Sequence, residues 1–285
     1  MSILLPKIGL ALFGLATLLP VLAAQNKYRV VTGVEYTRPG GVSVLLDAHI
    51  PEDAHDVPAV ILVHGGGWSQ GDRTASFIQP LFPLLDQTGF AWFTIDYRLA
   101  PRFAYPAAAD DVEAAVLYVK QHAKEYGVNP QKIALMGESA GGHLVNLVGA
   151  RNTAGVAAVV CFYGPIDMLL WGKRLEGKPL SEAVRGFFGI EALDDAGWRQ
   201  IRRTSPRIYL GPQTPPFLVI HGTRDQAVDY SQALLTVELL EKIHVPCKLI
   251  TVPDGVHGVI NWEKDAKFQH YKPQLIDWLH ATLGR

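Results

Sequence analysis

Four short stretches, far apart along the chain, carry polar and glycine-rich signatures in a fixed order. They are His64-Gly65-Gly66-Gly67-Trp68, Gly137-Glu138-Ser139-Ala140-Gly141, Asp225 within His221-Gly222-Thr223-Arg224-Asp225, and His257 within Gly255-Val256-His257-Gly258. Each follows a short apolar run: 59–63, 133–136, 217–220 and 248–252, with two further runs at 91–95 and 157–162. Nearly continuous apolar runs of this length suit strands buried on both faces of a mostly parallel sheet. Such a sheet brings the ends of its strands to one edge, where the four stretches can meet.

Val42, Val44, Leu46, Ala48 and Ile50 alternate with more polar positions. This predicts an antiparallel strand with one covered face, paired with another around 28–36 as an edge hairpin and completing eight strands. Helical patterns at 107–126, 141–148, 228–243 and about 264–283 separate the strands, so the class is α/β. From about 167 to 212 no strand-like run occurs, and Trp171, Phe187, Phe188 and Trp198 lie among charges and glycines. That interval predicts a small cap inserted over the site.

The chain has 285 residues, 48% of them hydrophobic and 19% charged, with a formal net charge of −1. This composition is globular, and it gives no electrostatic case for nucleic acid or an anionic membrane as partner. Residues 1–24 read as a signal peptide: Lys7 is the lone charge, Ile8 to Leu22 is almost wholly apolar, and Val21-Leu22-Ala23-Ala24 supplies a small-residue end. The apolar run is shorter than the roughly 20 residues a membrane span needs. Cleavage, a secreted or periplasmic location without stable membrane insertion, and one domain over 25–285 are therefore expected. Cys161 and Cys247 fall on strands that are not neighbours and are read as buried free thiols.

A serine hydroxyl is a weak nucleophile until a base holds it. The run 133–136, the Gly-Glu-Ser-Ala-Gly turn and a helix together present Ser139 at an exposed tip. Attack on an ester creates an oxyanion, which needs backbone N–H donors free of side chains; Gly66, Gly67 and Ala140 fit that need. His257, on the loop between the last strand and the last helix, is the expected base, with His221, His143 and His64 as structural residues nearby. Asp225, rather than Asp229 or Asp254, is expected to orient it. No metal-ligand cluster or phosphate-binding glycine motif competes with this reading, and no metal is expected.

These residues resemble the hormone-sensitive-lipase-like and feruloyl-esterase-like (BD-FAE-like) branch of α/β-hydrolases. The resemblance rests on the HGGGW loop, Asp96-Tyr97-Arg98-Leu99-Ala100-Pro101, Gly-Glu-Ser-Ala-Gly-Gly-His, and Pro215-Pro216-Phe217 leading to His221-Gly222 and Asp225. It runs from about Val42 to the C-terminus, and it departs at Arg102-Phe103, where relatives carry an acidic residue and a histidine. It implies an α/β-hydrolase fold and a serine carboxylesterase without cofactor. The expected substrates are small-molecule or polysaccharide-linked esters with short or aromatic acyl groups. Trp68, Trp171, Phe187, Phe188 and Trp198 are expected either as pocket walls or as the core of the cap. The competing expectations are an amide hydrolase resembling kynurenine formamidases and a non-catalytic binding protein on the same scaffold.

Overall fold

A computed structural model describes residues 27–284; the segment read as a signal peptide lies outside the described residues. Eight strands form one sheet: β1 (Tyr28–Thr37), β2 (Val44–Pro51), β3 (Val57–Val63), β4 (Ala91–Ile95), β5 (Val128–Glu138), β6 (Ala158–Phe162), β7 (Phe217–Gly222) and β8 (Cys247–Val252). Their order is β1-β2-β4-β3-β5-β6-β7-β8. The edge hairpin β1–β2 joins β4 in antiparallel fashion, and β3 to β8 run parallel to one another. This is the mostly parallel α/β-hydrolase sheet.

Residues of each central strand alternate between two cores. Ile61, Val63 and Leu135 face a layer that includes Val112 and Leu144, from the helices Ala107–Gln121 and Ala140–Arg151. Val60, Leu62 and Met136 face the opposite layer, with Leu85 from Phe82–Thr88 and Leu275 and Leu279 from Tyr271–Leu283. Burial on both faces is why these strands read as unbroken apolar runs.

Two expectations need correction. The last helix starts at Tyr271, not near residue 264; its stretch from 259 is broken into a short helix, Val259–Trp262, and a turn of 3₁₀ helix, Ala266–Phe268. Pro273 lacks an N–H and is tolerated only in a first turn, which fits a start at Tyr271. Cys247 is half-buried rather than buried, because it opens β8, the edge strand, whereas Cys161 lies buried in the interior strand β6. Both thiols are free, and burial pushes each up to about 12.

The interval between β6 and β7 contains no strand, as expected of a cap. It holds three short helices, Met168–Gly172, Glu182–Phe188 and Asp195–Arg203. Each begins on a side chain that accepts first-turn N–H groups, namely Asp167, Ser181 and Asp194.

The chain leaves β3 towards β4 on one side and reaches β5 on the other, so the β3/β5 boundary is a topological switch point. There the helix Ala140–Arg151 approaches β3 so closely that a Cβ on Gly141 would lie 2.2 Å from the Val63 carbonyl oxygen and 2.5 Å from that of His64. Gly141→Ala is expected to lower stability by about 1–3 kcal/mol, the usual cost of overpacking. An unchanged urea midpoint would show that the helix can move away from the strand.

Candidate active site

β3 ends at Val63, and the chain then turns through His64 to Trp68 with positive φ at Gly66 (93°), Gly67 (60°) and Trp68 (62°). Gly66 admits no side chain, since a Cβ there would lie 2.0 Å from the Gln70 carbonyl oxygen. The carbonyl of Gly66 accepts the N–H groups of Ser69 and Gln70, closing the loop on itself. On the neighbouring strand, Ser139 follows β5 with φ 54° and ψ −116°, a conformation costing on the order of 1–3 kcal/mol that places the side chain at the tip of a sharp turn.

His257 Nε2 lies 2.8 Å from Ser139 Oγ, and its Nδ1 lies 2.6 Å from Asp225 Oδ2. The three expected residues are thus in contact, although they come from the ends of three different strands. The side chain of Asp225 is wholly buried. Its Oδ1 accepts the N–H groups of Ala227 and Val228, each at 2.8 Å. Burial pushes this carboxyl up, but hydrogen bonds from His221, His257 and Val228 and the attraction of His257 outweigh burial and hold it below the usual carboxylate range. Asp229 accepts from Ser231 N–H instead, and Asp254 sits on the histidine's own loop with its N–H on Thr223.

The other histidines are structural by their contacts. His221 Nε2 donates to the Val228 carbonyl at 2.9 Å and stands 3.4 Å from Asp225 Oδ2, behind the acid. His143 Nδ1 accepts the Trp68 indole N–H at 3.1 Å, and its Nε2 donates to the Thr204 carbonyl at 2.8 Å, joining the glycine loop to the cap. His64 stacks on Tyr97 with ring centroids 4.2 Å apart. Burial brings both His64 and His143 down to about 4, so both are neutral near pH 7.

The aromatic residues divide. Trp68, Phe187 and Phe188 are buried, with Trp68 stacked on Phe187 at 4.4 Å, so they are the core of the cap rather than exposed pocket walls. Half-buried Trp198 packs near Gly172. Trp171, also half-buried, borders a cleft of about 520 Å³ that Arg174, Lys178, Asp225, Asp229 and Gln232 also line. Tyr163, which the motifs do not single out, packs edge-on against His257 with centroids 4.8 Å apart. The one sequence signal for it is its place directly after a buried strand.

Among the described residues no group of three or more His, Cys, Asp or Glu side chains is placed to hold a metal ion. No helix among them is long and apolar enough to cross a membrane.

The BD-FAE family model matches residues 46–240. The chain belongs to the BD-FAE family. The match spans the glycine loop, Ser139 and Asp225, while His257 lies beyond it and is joined to them by the geometry. A probable carboxylic ester hydrolase, LipM, of Mycobacterium tuberculosis is 30% identical over 65% of this chain and 45% of its own length. Esterase LipC of the same organism is 32% identical over 84% of this chain and 62% of its own. The chain thus spans about half the length of the curated relatives it matches. A truncated carbohydrate esterase from gut microbiota shares the fold, with a TM-score of 0.79 and 23% identity over 92% of this chain and 99% of its own.

In this BD-FAE chain the buried histidines predict an acid-sensitive fold. An unfolded histidine takes a proton below about pH 6.5, whereas His64 and His143 stay neutral down to about 4. Stability is therefore full above pH 6.5 and falls as pH drops towards 4, by up to about 3 kcal/mol for each histidine. Asp225 adds stability that is complete above the ordinary carboxylate range and disappears as pH falls through its lower folded value. Urea midpoints from pH 8 to 4.5 measure this dependence, and His143→Gln is expected to flatten it.

Proposed function

We propose that the protein is a serine carboxylesterase acting on short acyl or aromatic acyl esters, free or linked to polysaccharide. The observation that carries this reading is the unbroken relay from Asp225 Oδ2 through His257 to Ser139 Oγ, at 2.6 and 2.8 Å, on a serine held at φ 54°. Membership of the BD-FAE family and relatives named as ester hydrolases support it.

In this mechanism His257 Nε2 takes the proton of Ser139 as Oγ attacks the ester carbonyl. Asp225 accepts the Nδ1–H, fixes the tautomer and stabilises the imidazolium. The N–H groups of Gly66, Gly67 and Ala140 receive the oxyanion, each donor contributing roughly 2.7–4 kcal/mol to the transition state. Collapse expels the alcohol, which leaves with the proton from His257. Water, deprotonated by the same histidine, then releases the acid and restores Ser139. Export directed by residues 1–24, to the periplasm or the medium, would bring the enzyme to polymeric esters.

The test is kcat/KM on p-nitrophenyl acetate, butyrate and octanoate, methyl ferulate and acetylated xylan, using protein that lacks residues 1–24. Ser139→Ala and His257→Ala are each expected to lower kcat by on the order of 10⁶, with the double variant little worse because the two act as a unit. Asp225→Asn is expected to cost about 10⁴. Hydrolysis that survives Ser139→Ala, or wild-type protein that neither cleaves these esters nor reacts with a fluorophosphonate, would refute the reading. A preference for ferulate or xylan would place the substrate on plant polysaccharide.

A further inference from the structure

Glu138 is a carboxyl that the reaction above does not use, yet it sits beneath all of its parts. It is buried, precedes Ser139 in the chain, and accepts the Gly65 N–H at 2.6 Å through Oε1. Gly65 precedes the first proposed oxyanion donor, and its carbonyl accepts the Tyr97 hydroxyl at 2.9 Å, so both ends of this residue are held. A Cβ on Gly65 would lie 2.1 Å from Glu138 Oε1, so only glycine admits the contact. On its other side the carboxyl accepts the Tyr163 hydroxyl. That hydroxyl accepts the Val259 N–H at 2.8 Å, two residues beyond His257.

We propose that Glu138 is a positioning residue whose carboxylate ties the oxyanion loop and the histidine loop to the nucleophile turn and adds a second negative charge facing His257. The proposal rests on the reading of Ser139 and His257 as nucleophile and base. The titratable groups facing Glu138 are Tyr97 from the segment after β4, Tyr163 after β6 and His257 after β8. Burial keeps both tyrosines protonated, so they act as fixed donors. For Glu138 itself burial outweighs the attraction of His257 and the bonds from Gly65 and Tyr163, and its carboxyl is pushed up to about 7. Near neutral pH the carboxylate is therefore present for only part of the population. Once His257 has taken the serine proton, the imidazolium faces two carboxylates, Asp225 and Glu138. Protonation of Glu138 removes one of those charges and weakens the bond from Gly65.

The experiment is the pH dependence of kcat/KM on p-nitrophenyl acetate for wild-type protein, Glu138→Gln, Tyr163→Phe and Ser139→Ala. Below neutrality two groups must lose protons in the wild type, so the acid limb of the logarithmic plot is expected to exceed a slope of one and approach two. Glu138→Gln is expected to return the slope to one and to lower kcat roughly 10- to 100-fold with a smaller change in KM. Tyr163→Phe, which removes a donor to the carboxylate, is expected to move the acid limb to higher pH. A wild-type slope of one, or a Glu138→Gln variant with wild-type kcat and profile, overturns the proposal while leaving the triad intact. Activity persisting in Ser139→Ala would instead overturn the reading beneath it.

Discussion

Parallel pairing of β3 with β5 is the constraint on which the site depends. Val63 is paired with Gly137, so both strands end at the same level. The glycine loop and the serine turn therefore leave the sheet side by side. A slip of one residue would invert every side chain of β3 between the two cores. Val60 and Leu62 would then face the layer built for Ile61 and Val63, so the cores that stabilise the fold also fix the register of the site. The small residue at 141 makes the same junction tight, letting the helix that follows Ser139 come against the end of β3.

Two buried carboxyls at this edge of the sheet behave in opposite ways, and the difference lies in their donors. Asp225 receives two backbone N–H groups and two imidazoles, enough to hold its charge despite burial. Glu138 receives one backbone N–H and one hydroxyl, and burial prevails. In the proposed mechanism, the acid that stabilises an imidazolium at neutral pH belongs in the first environment. The second suits a group whose charge responds to conditions. Environments that push two titratable groups apart in this way give them different roles.

The strands were legible because burial on both faces leaves a run of apolar residues that few other structures require. The meeting of Ser139, Asp225 and His257 was legible as well, since each follows such a run and strand ends converge on one edge. The start of the final helix was not, because the stretch before Pro273 carries helical periodicity while turns and a 3₁₀ segment at 263–270 interrupt it. Nor was the role of Tyr163, a lone aromatic after a strand whose hydroxyl meets groups 25 and 96 residues away only once the sheet is assembled. Contacts of this kind depend on register and on backbone direction. Periodicity carries neither.

The cap shows where pattern leaves two readings open. Aromatic residues scattered among charges suit a binding wall or a core, and here Trp68 from the glycine loop stacks on Phe187 and hydrogen-bonds His143, which in turn bonds the cap at Thr204. The polar ends of Trp68 and His143 satisfy each other, so both rings stay buried without loss of hydrogen bonding. This makes the cap part of the scaffold of the glycine loop. Trp68 adopts φ 62°, uncommon for a bulky residue, and its ring is gripped by the cap. Burial of that ring against Phe187 ties the cap's core to the loop that carries Gly66 and Gly67. Cap and glycine loop are then one structural unit, and Trp171, edge-on to Trp68 with ring centroids 5.5 Å apart, carries the aromatic cluster out to the cleft it borders.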